Sequence, residues 1–425
     1  MAVLLGAIAD DFTGATDLCN TLVRRGMRSV QLIDVPPDGA PVPDAEAIVV
    51  ALKSRTIPAA DAVAMSLKAL TWLQRAGARQ ILFKYCSTFD STALGNIGPV
   101  GEALLDALKT DLTLYCPAFP EAGRTIFKGY LFVGDVLLSE SGMKDHPLTP
   151  MRDPSLVRVL QAQSLGKVGL VQRAAVAQGP EAIAAAFAKL RAEGYRHAVV
   201  DAIADRDLEA IGAAAADFPL ITGGSGIALG LPENFRRQGL LKAGEAASLP
   251  RVDGSAAVIS GSCSTATQGQ LAHMRKHAPV FDVDPIAVAE GKPVVAEVLA
   301  WAKPQLGGKP VLISATAAPD RVAAVQERLG RERAGALVEE TLAAIAKGLV
   351  EAGARRLVVA GGETAGAVVQ ALGVTGLRIG GQIDPGVPWT VSLGDRPLAL
   401  ALKSGNFGAP DFFLRAFEVL EGASA

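Results

Sequence analysis

The sequence lacks several features that mark well-known classes of protein. Its 4 cysteines in 425 residues are scattered and form no C-x-x-C pair, which predicts unpaired thiols in a reduced, cytoplasmic protein. No apolar run approaches the roughly 18–20 residues of a membrane span. Its 41 basic residues balance 43 acidic ones, so it has no broad basic field for nucleic acid or an anionic membrane. An anionic substrate would need a local basic pocket.

Several catalytic and cofactor motifs are also missing. No G-x-x-x-x-G-K-[ST] occurs, which disfavours a P-loop fold. Residues 223–229 resemble a dinucleotide fingerprint, but the last glycine is absent and Pro232 follows, so we predict no NAD site. His273 and His277 lie among cations with no following glutamate, so a metal site there is not expected. Residues 1–11 have no basic leader segment and predict a strand, not a signal peptide.

What the sequence has in abundance is aliphatic residues and glycine. Hydrophobic residues make up 50% of the chain and the mean hydropathy is +0.30, which suits buried parallel strands covered by helices on both faces. Aliphatic runs predict two series of strands. The first comprises residues 3–9, 47–52, 81–83, 112–116, 198–200 and 220–222, and the second residues 256–259, 280–283, 311–313, 357–360, 377–379 and 398–402.

Amphipathic stretches between these runs predict helices, among them residues 14–25, 59–75, 100–108, 181–193 and 334–351. Alternation of strands and helices predicts an α/β fold with two domains and mainly parallel sheets. Residues 239–255 contain glycine, proline and charges without periodicity, so we interpret them as a linker between domains of residues 1–240 and 255–425. Residues 127–154 predict a long ordered excursion.

Two adjacent carboxylates, Asp10 and Asp11, end the first predicted strand and begin a helix. Ligands of open α/β sheets bind at the carboxyl ends of strands, so these residues are candidate catalytic groups. Either could accept the proton of a substrate hydroxyl or hold Mg²⁺. Each could instead be a helix cap. Because neighbouring side chains of an extended chain point in opposite directions, we expect only one to face the ligand.

Cations and hydroxyls follow the next two predicted strands. Arg55 comes after the second, and Lys84, Ser87 and Thr88 come after the third. We predict that these four residues bind substrate, since Arg55 could grip a carboxylate bidentately and Lys84 could act as a point charge. The alternative for either cation is a solvated surface position. Carboxylates, cations and hydroxyls together suit a small polyhydroxy acid.

In the second half, three strand ends lead into loops of glycine and hydroxyl residues. These loops are residues 260–265, 361–366 and 403–408. Free backbone N–H groups beside hydroxyls are what phosphate binding needs, although tight turns use the same residues. Glu363 could help to hold Mg²⁺ or could simply favour a helix N-terminus. No residue is assigned as a metal ligand.

Several of these segments resemble signature blocks of the four-carbon acid sugar kinase family, and the resemblance extends over essentially the whole chain. The blocks are residues 9–15 (ADDFTGA), 53–56 (KSRT), 361–366 (GGETAG) and 404–408 (SGNFG). A closer resemblance, to the 3-oxo-tetronate 4-kinase branch, is carried by residues 83–92 (FKYCSTFDST), 95–99 (GNIGP), 129–143 (GYLFVGDVLLSESGM) and 146–151 (HPLTPM).

The resemblance implies an N-terminal sugar-acid domain, a C-terminal nucleotide domain and an active site in the cleft between them. It implies transfer of the ATP γ-phosphoryl group to the 4-hydroxyl of a 3-oxo-tetronate, with Mg²⁺ as cofactor. The ATP contacts that it implies are Ser260, Gly361, Gly362, Glu363, Thr364 and Gly405.

Two alternatives stay open. The chain could be a threonate or erythronate kinase of the same family, or a non-catalytic sugar-acid sensor that nucleotide regulates. The partners expected are a small sugar acid and ATP, without nucleic acid or membrane, and a homo-oligomer is possible on sequence grounds.

Overall fold

The computed structural model of the chain describes residues 3–146, 148–242, 244, 246–315, 327 and 330–422. Pro147 in the 146–151 block, and residues 243 and 245 in the predicted linker, lie outside the described residues. So do residues 1, 2, 316–326, 328, 329 and 423–425 of the two predicted domains. The chain divides into two compact units, Met1–Ala246 and Ala247–Ala425.

Unit 1 is built around parallel strands. Its strands are β1 Leu5–Ala9, β2 Ser29–Ile33, β3 Ala47–Ala51, β4 Gln80–Lys84, β5 Thr113–Cys116, β6 Arg124–Phe127, β7 Tyr130–Val133, β8 Val136–Leu137, β9 Lys167–Val171, β10 Tyr195–Val200 and β11 Leu220–Gly223. Eight of them lie in the order β2-β3-β1-β4-β11-β5-β10-β9, and every neighbouring pair is parallel. Strands β1 and β3 each have a neighbour on both sides and are buried throughout, as aliphatic strands covered on both faces must be.

Helices connect the strands of unit 1. They are α1 Phe12–Arg24, α2 Ala59–Arg75, α3 Ile97–Ala107, α4 Leu156–Gln163, α5 Arg173–Val176, α6 Pro180–Ala192, α7 Asp205–Ala214 and α8 Leu231–Arg237. The predicted helix 14–25 is confirmed as α1, which buries Leu18, Cys19 and Leu22 on one face. It stops before Gly26, whose φ of 78° places it in the left-handed region that glycine favours.

The sequence prediction missed β2 because polar residues interrupt its aliphatic pattern. Gln31 of β2 is fully buried and accepts a hydrogen bond of 2.7 Å from the Thr16 hydroxyl of α1. A polar side chain satisfied in this way can occupy a core strand, but no local pattern announces the partner. The excursion predicted over residues 127–154 begins as an antiparallel three-stranded sheet of β6, β7 and β8.

Unit 2 has a mixed sheet. Its strands are β12 Ser255–Ser260, β13 Val280–Asp282, β14 Val311–Ser314, β15 Ala354–Ala360, β16 Gly376–Asp384, β17 Val387–Ser392 and β18 Ala399–Lys403. They lie in the order β13-β14-β12-β15-β18-β17-β16. The first five are parallel, whereas β16 and β17 form an antiparallel hairpin and β17 is antiparallel to β18. The sequence prediction missed β17.

Among the described residues of unit 2, the helices are α9 Thr265–Met274, α10 Pro285–Ala289, α11 Val294–Ala302, α12 Arg331–Glu351, α13 Gly362–Ala371 and α14 Phe412–Gly422. The α14 helix closes the core against Trp389 of β17, whose indole N–H donates to the Ala416 carbonyl at 2.6 Å. The two-unit α/β fold with mainly parallel strands is therefore confirmed. Among the described helices, none has the length and apolar character needed to cross a bilayer.

Candidate active site

The polar residues that follow β1, β3 and β4 are brought together by the order of the strands. Strand β1 lies between β3 and β4, and Ala9 is in register with both Ala51 and Lys84. The three chains therefore end at the same edge of the sheet. Asp10 and Asp11 follow β1 directly, and the Arg55 side chain reaches them from the loop after β3.

Arg55 is the centre of this cluster. Its Nε and Nη2 donate to the two carboxylate oxygens of Asp10 at 2.9 and 2.8 Å, which is the bidentate geometry of a strong charge-assisted pair. The same Nη2 donates to Asp11 Oδ1 at 2.6 Å. Nη1 lies 3.6 Å from Asp90 Oδ2. One guanidinium thus joins three carboxylates, and it is not a solvated surface cation.

The electrostatics of the pair depend on burial. Asp10 is only 4% exposed, and burial raises the pKa of its carboxyl group, while Arg55 opposes that shift. Burial alone would lower the pKa of Arg55, but the Asp10 and Asp11 carboxylates raise it above its usual value. Asp10 is therefore a carboxylate in a dry, charge-paired setting, with a greater affinity for a proton than an exposed aspartate has.

Asp11 has a different position from its neighbour. It is the N-cap of α1, and its Oδ1 accepts the Gly14 N–H at 3.1 Å. Of the two alternatives for each aspartate, the cap therefore applies to Asp11, which also pairs with Arg55. A Cβ on Gly14 would lie 2.8 Å from Lys84 Nζ, so the lysine ammonium lies against the first turn of α1. Lys84 Nζ also donates to the Tyr85 carbonyl at 2.8 Å.

The loop after β4 carries the two predicted hydroxyl residues. The Thr88 hydroxyl donates to Asp90 Oδ1 at 2.6 Å, and Ser87 is half-buried beside it. Phe89 and Asp90 have φ values of 66° and 40°, an uncommon left-handed pair for residues other than glycine. This backbone directs Asp90 toward the Arg55 cluster.

Sequence reasoning missed two members of this cluster. Asp90 was within the 83–92 block but was not selected. The side-chain amide of Asn96 donates to the Ser54 carbonyl at 2.7 Å and so holds the loop that carries Arg55. The available signal was that both residues lie within segments that carry the family resemblance, 83–92 and 95–99. A polar residue buried beside an ion cluster needs a hydrogen-bond partner.

In unit 2, the three glycine loops lie at the ends of adjacent parallel strands. Ser260 of β12 is in register with Ala360 of β15, which is in register with Lys403 of β18. The loops form part of the wall of an open cavity of about 290 Å³. The residues that line it are Gly261, Ser262, Cys263, Pro285, Ala315, Ala334, Gly335, Val338, Glu339, Gly361, Gly362, Glu363, Thr364 and Gly405.

Five of the six predicted nucleotide contacts line this cavity, namely Gly361, Gly362, Glu363, Thr364 and Gly405. The sixth, Ser260, is fully buried at the end of β12, one residue before the cavity wall begins. Its side chain is therefore placed behind the wall.

The loops approach each other closely, which explains their glycines. A Cβ on Gly405 would lie 2.4 Å from Ser262 Oγ, and a Cβ on Gly261 would lie 2.3 Å from Thr364 Oγ1. Gly361 has a φ of 125°, which side-chain-bearing residues rarely adopt. The same cavity receives the N-terminus of the ten-residue helix α13, whose unpaired N–H groups and dipole favour an anion.

A phosphate-bearing ligand is compatible with this cavity, because residues of the three glycine loops and the N-terminus of α13 form part of its lining. Mg²⁺ in phosphate sites uses one or two carboxylates, phosphate oxygens and waters, and Glu363 on the wall is a suitable oxygen ligand. Within the described part of the chain no group of three or more His, Cys, Asp or Glu residues could hold a metal by itself.

Two family models match the chain. The one described as a sugar-binding N-terminal domain matches residues 5–231, and the one described as a nucleotide-binding C-terminal domain matches residues 257–413. The chain belongs to the four-carbon acid sugar kinase family.

Relatives in this family match nearly the whole chain. A protein from Burkholderia multivorans named 3-oxo-tetronate kinase is 63% identical over 422 residues, covering 99% of this chain and 98% of its own. A Cupriavidus necator protein of the same name is also 63% identical, with the same coverage. The crystal structure of Haemophilus influenzae protein HI1011 is 46% identical and has a TM-score of 0.87, covering 98% of this chain and 100% of its own.

Proposed function

We propose that this chain is a 3-oxo-tetronate kinase, which transfers the γ-phosphoryl group of ATP to the 4-hydroxyl of 3-oxo-tetronate. The observation that carries the proposal is the 63% identity, over nearly the full length, to relatives that are named for this activity. The product is 3-oxo-tetronate 4-phosphate, an intermediate suited to sugar-acid catabolism. The geometry of the two strand-end sites supports the chemistry.

The domain of residues 1–240 binds the sugar acid and that of residues 255–425 binds the nucleotide. The ion cluster of Arg55 supports the first role, and the glycine-lined cavity supports the second. Phosphoryl transfer needs the γ-phosphate and the attacking hydroxyl in line. The reaction therefore needs the sugar acid and the nucleotide to be bound at the same time, with water excluded from the reacting groups.

Asp10 is the general base in this mechanism. It is the more buried of the two aspartates, and its raised pKa makes it a better proton acceptor than an exposed carboxylate. Arg55 donates a hydrogen bond to each of the Asp10 carboxylate oxygens and so fixes the orientation of the carboxylate. Asp11 caps α1 and completes the Arg55 pairing, so it supports the catalytic group.

The substrate carboxylate binds between Arg55 and Lys84. Arg55 uses Nε and Nη2 on Asp10 and Asp11, and its Nη1 makes only the longer contact of 3.6 Å with Asp90, so Nη1 is the nitrogen that can also donate to an anion. Lys84 supplies a second positive charge against the first turn of α1. Ser87 and Thr88 contribute hydroxyls to the polyhydroxy chain, with Thr88 anchored on Asp90.

ATP binds with its phosphates against Gly361, Gly362, Thr364 and Gly405, and Ser260 supports the wall from behind. Glu363 is positioned to help hold Mg²⁺, which when bound would neutralise charge on the phosphate oxygens. The cytoplasmic location and a homo-oligomeric state stay predictions from the sequence.

The mechanism is tested by replacing each aspartate with asparagine and following ADP release in a coupled assay. Asp10→Asn should lower kcat by about 10²–10⁴-fold, the usual worth of a general base. Asp11→Asn should have the smaller effect, because asparagine also caps helices. Near-normal kcat in both variants would reject a carboxylate base.

The substrate is tested in the same assay with D- and L-tetronates and with their 3-oxo forms, which a dehydrogenase generates in situ. We expect ADP release with a 3-oxo-tetronate. Preference for threonate or erythronate would assign another activity of this family. Tight binding of acid and nucleotide without ADP release would instead identify a sensor.

A further inference from the structure

Lys403 is a buried cation that the proposed reaction does not yet use. It is the last residue of β18 and is only 1% exposed. Its Nζ donates to the Gly405 carbonyl at 2.9 Å, the Ser404 carbonyl at 3.1 Å and the Thr267 hydroxyl at 3.1 Å. All three acceptors are uncharged. The ammonium group therefore lies directly behind Gly405, which lines the cavity.

The Gly405 carbonyl is a junction between two of the cavity loops. Besides Lys403 Nζ, it accepts the Ser264 hydroxyl at 2.5 Å and the Thr267 hydroxyl at 2.9 Å. Ser264 is the N-cap of α9. Three donors hold this carbonyl against the first turn of α9, so it faces away from a bound anion.

Lys403 also contacts the third loop through its backbone. The Gly361 N–H donates to the Lys403 carbonyl at 2.9 Å. Lys403, itself in the loop 403–408, thus contacts the loop 361–366 and the first turn of α9, which follows the loop 260–265. A substitution that removed the ammonium would leave the Gly405 carbonyl with its two hydroxyl donors alone.

A buried ammonium surrounded by neutral acceptors is costly unless an anion compensates it. Burial lowers the pKa of Lys403 to about 8. A polyphosphate in the cavity would supply the missing negative charge and favour the protonated form.

We propose that Lys403 is a positioning residue for the nucleotide phosphates, which orients Gly405 through its carbonyl and adds a positive charge behind the phosphate loops. This inference rests on the proposed nucleotide role of unit 2. It predicts that phosphate affinity depends on protonation of Lys403, so that affinity is high below about pH 8 and falls above it.

The effect of Lys403 on the pH dependence of phosphate affinity must be distinguished from the effects of other titratable groups on the surrounding elements. Cys263 lies in the loop before α9, Glu363 in the first turn of α13 and Glu339 in α12, and all three line the cavity. The neighbouring strand β17 (VPWTVS) offers none. Cys263 lines the same cavity, and a negative charge on its sulfur would also repel phosphate. Cys263→Ser is therefore the necessary control.

The first measurement uses the wild-type chain and isothermal titration calorimetry between about pH 7 and pH 9.5. The Kd for ATP with Mg²⁺ should rise about tenfold for each unit by which the phosphate raises the lysine pKa. Adenosine, which has no phosphate, should bind with a Kd that does not change over this interval. The Cys263→Ser variant should keep the rise for ATP.

The second measurement compares two substitutions of the lysine. Lys403→Met keeps an apolar stem without charge and should weaken ATP binding about tenfold or more at pH 7, with no further loss at high pH. Lys403→Arg keeps the charge and should lose the rise near pH 8, since arginine stays protonated. The KM for the sugar acid should change little in either variant.

The proposal is overturned if ATP affinity in the wild type is flat across the interval, if adenosine shows the same rise, or if Cys263→Ser abolishes it. These wild-type and Cys263→Ser results decide the matter even if Lys403→Met fails to fold. Absence of ATP binding at every pH would overturn the nucleotide role of unit 2 as well, whereas normal binding without pH dependence would overturn only the role of Lys403.

Discussion

At the scale of single residues, the neighbouring aspartates Asp10 and Asp11 have different roles. Asp10 is buried and bound by two nitrogens of Arg55, whereas Asp11 caps a helix and shares the third contact. The difference arises because successive side chains leave an extended backbone in opposite directions. Two identical carboxylates thereby provide a candidate base and a structural support.

His197 shows the same dependence on environment. It is fully buried in β10, where Nε2 lies 3.2 Å from Glu102 Oε1 and Nδ1 lies 3.0 Å from the Tyr115 hydroxyl. An ionised carboxylate can only accept, so Nε2 carries the proton of the neutral ring and Nδ1 accepts from Tyr115. Burial lowers the pKa of His197, and Glu102 partly opposes the shift.

This histidine predicts a loss of stability in mild acid. The unfolded chain binds a proton near pH 6.5, whereas the folded chain binds it only at lower pH. The unfolded state therefore holds more protons between the two values, and the free energy of unfolding falls as the pH drops through that interval.

The prediction is checked by urea unfolding at about pH 7.5 and pH 5.5. His197→Gln should reduce this acid sensitivity, at a cost of about 1–3 kcal/mol at pH 7.5 for imperfectly satisfied buried partners. His277→Gln, at an exposed position on unit 2, is the matched control and should keep the wild-type behaviour. Equal acid sensitivity in all three proteins would show that another group is responsible.

At the scale of elements, both units use the same arrangement, in which a parallel strand ends and the next helix begins. In unit 1 the arrangement presents side-chain charges, and in unit 2 it presents backbone amides. The difference follows from glycine, because a Cβ at Gly405 or Gly261 would meet a hydroxyl oxygen of another loop at 2.4 or 2.3 Å. Because these positions carry no side chain, their backbone N–H groups can come close to a phosphate.

Gly405→Ala should therefore raise the Kd for ATP about tenfold or more and lower stability by about 1–3 kcal/mol, because the new methyl group clashes with Ser262. Calorimetric ATP titration and thermal unfolding measure the two effects.

The matched control is Gly366→Ala. Gly366 lies in the interior of helix α13, which begins directly after Gly361. A Cβ there meets nothing within 4 Å, so it should leave ATP affinity unchanged and raise stability by about 0.5–1 kcal/mol through helix propensity. ATP affinity equal to wild type in Gly405→Ala would contradict the placement of phosphate at this loop.

At the scale of the whole molecule, the two proposed ligands belong to two compact units with separate strand-end sites. Each site is built from residues of its own unit, so a substitution in one site leaves the contacts of the other site in place. Binding of each ligand should therefore be separable by mutation, even though the reaction needs both.

Asp10→Asn should leave the Kd for ATP within about twofold of wild type while it lowers kcat by about 10²–10⁴-fold. Lys403→Met should do the reverse, weakening ATP binding but leaving sugar-acid binding in place. Titration of each ligand into each variant checks this. A large change in ATP affinity on Asp10→Asn would mean that the aspartate acts on the nucleotide.

The sequence by itself determined the α/β class, most strands and the strand-end clusters, because aliphatic runs and glycine loops are local patterns. It pointed to Asp10, Arg55 and Gly361 but missed β2, whose Gln31 is satisfied by a partner 15 residues away. Asp90 and Lys403 lay within the predicted segments 83–92 and 403–408 but were given no role of their own, because Arg55 and Thr267, which they contact, are distant in the sequence.

Only the tertiary structure decided what each polar group contacts. It alone showed that Arg55 binds Asp10 and that Lys403 lies behind Gly405. The physical reason is that parallel strands far apart in the chain become neighbours through non-local pairing. Pairing and register, which no single segment encodes, set the distances on which charge and hydrogen bonding depend.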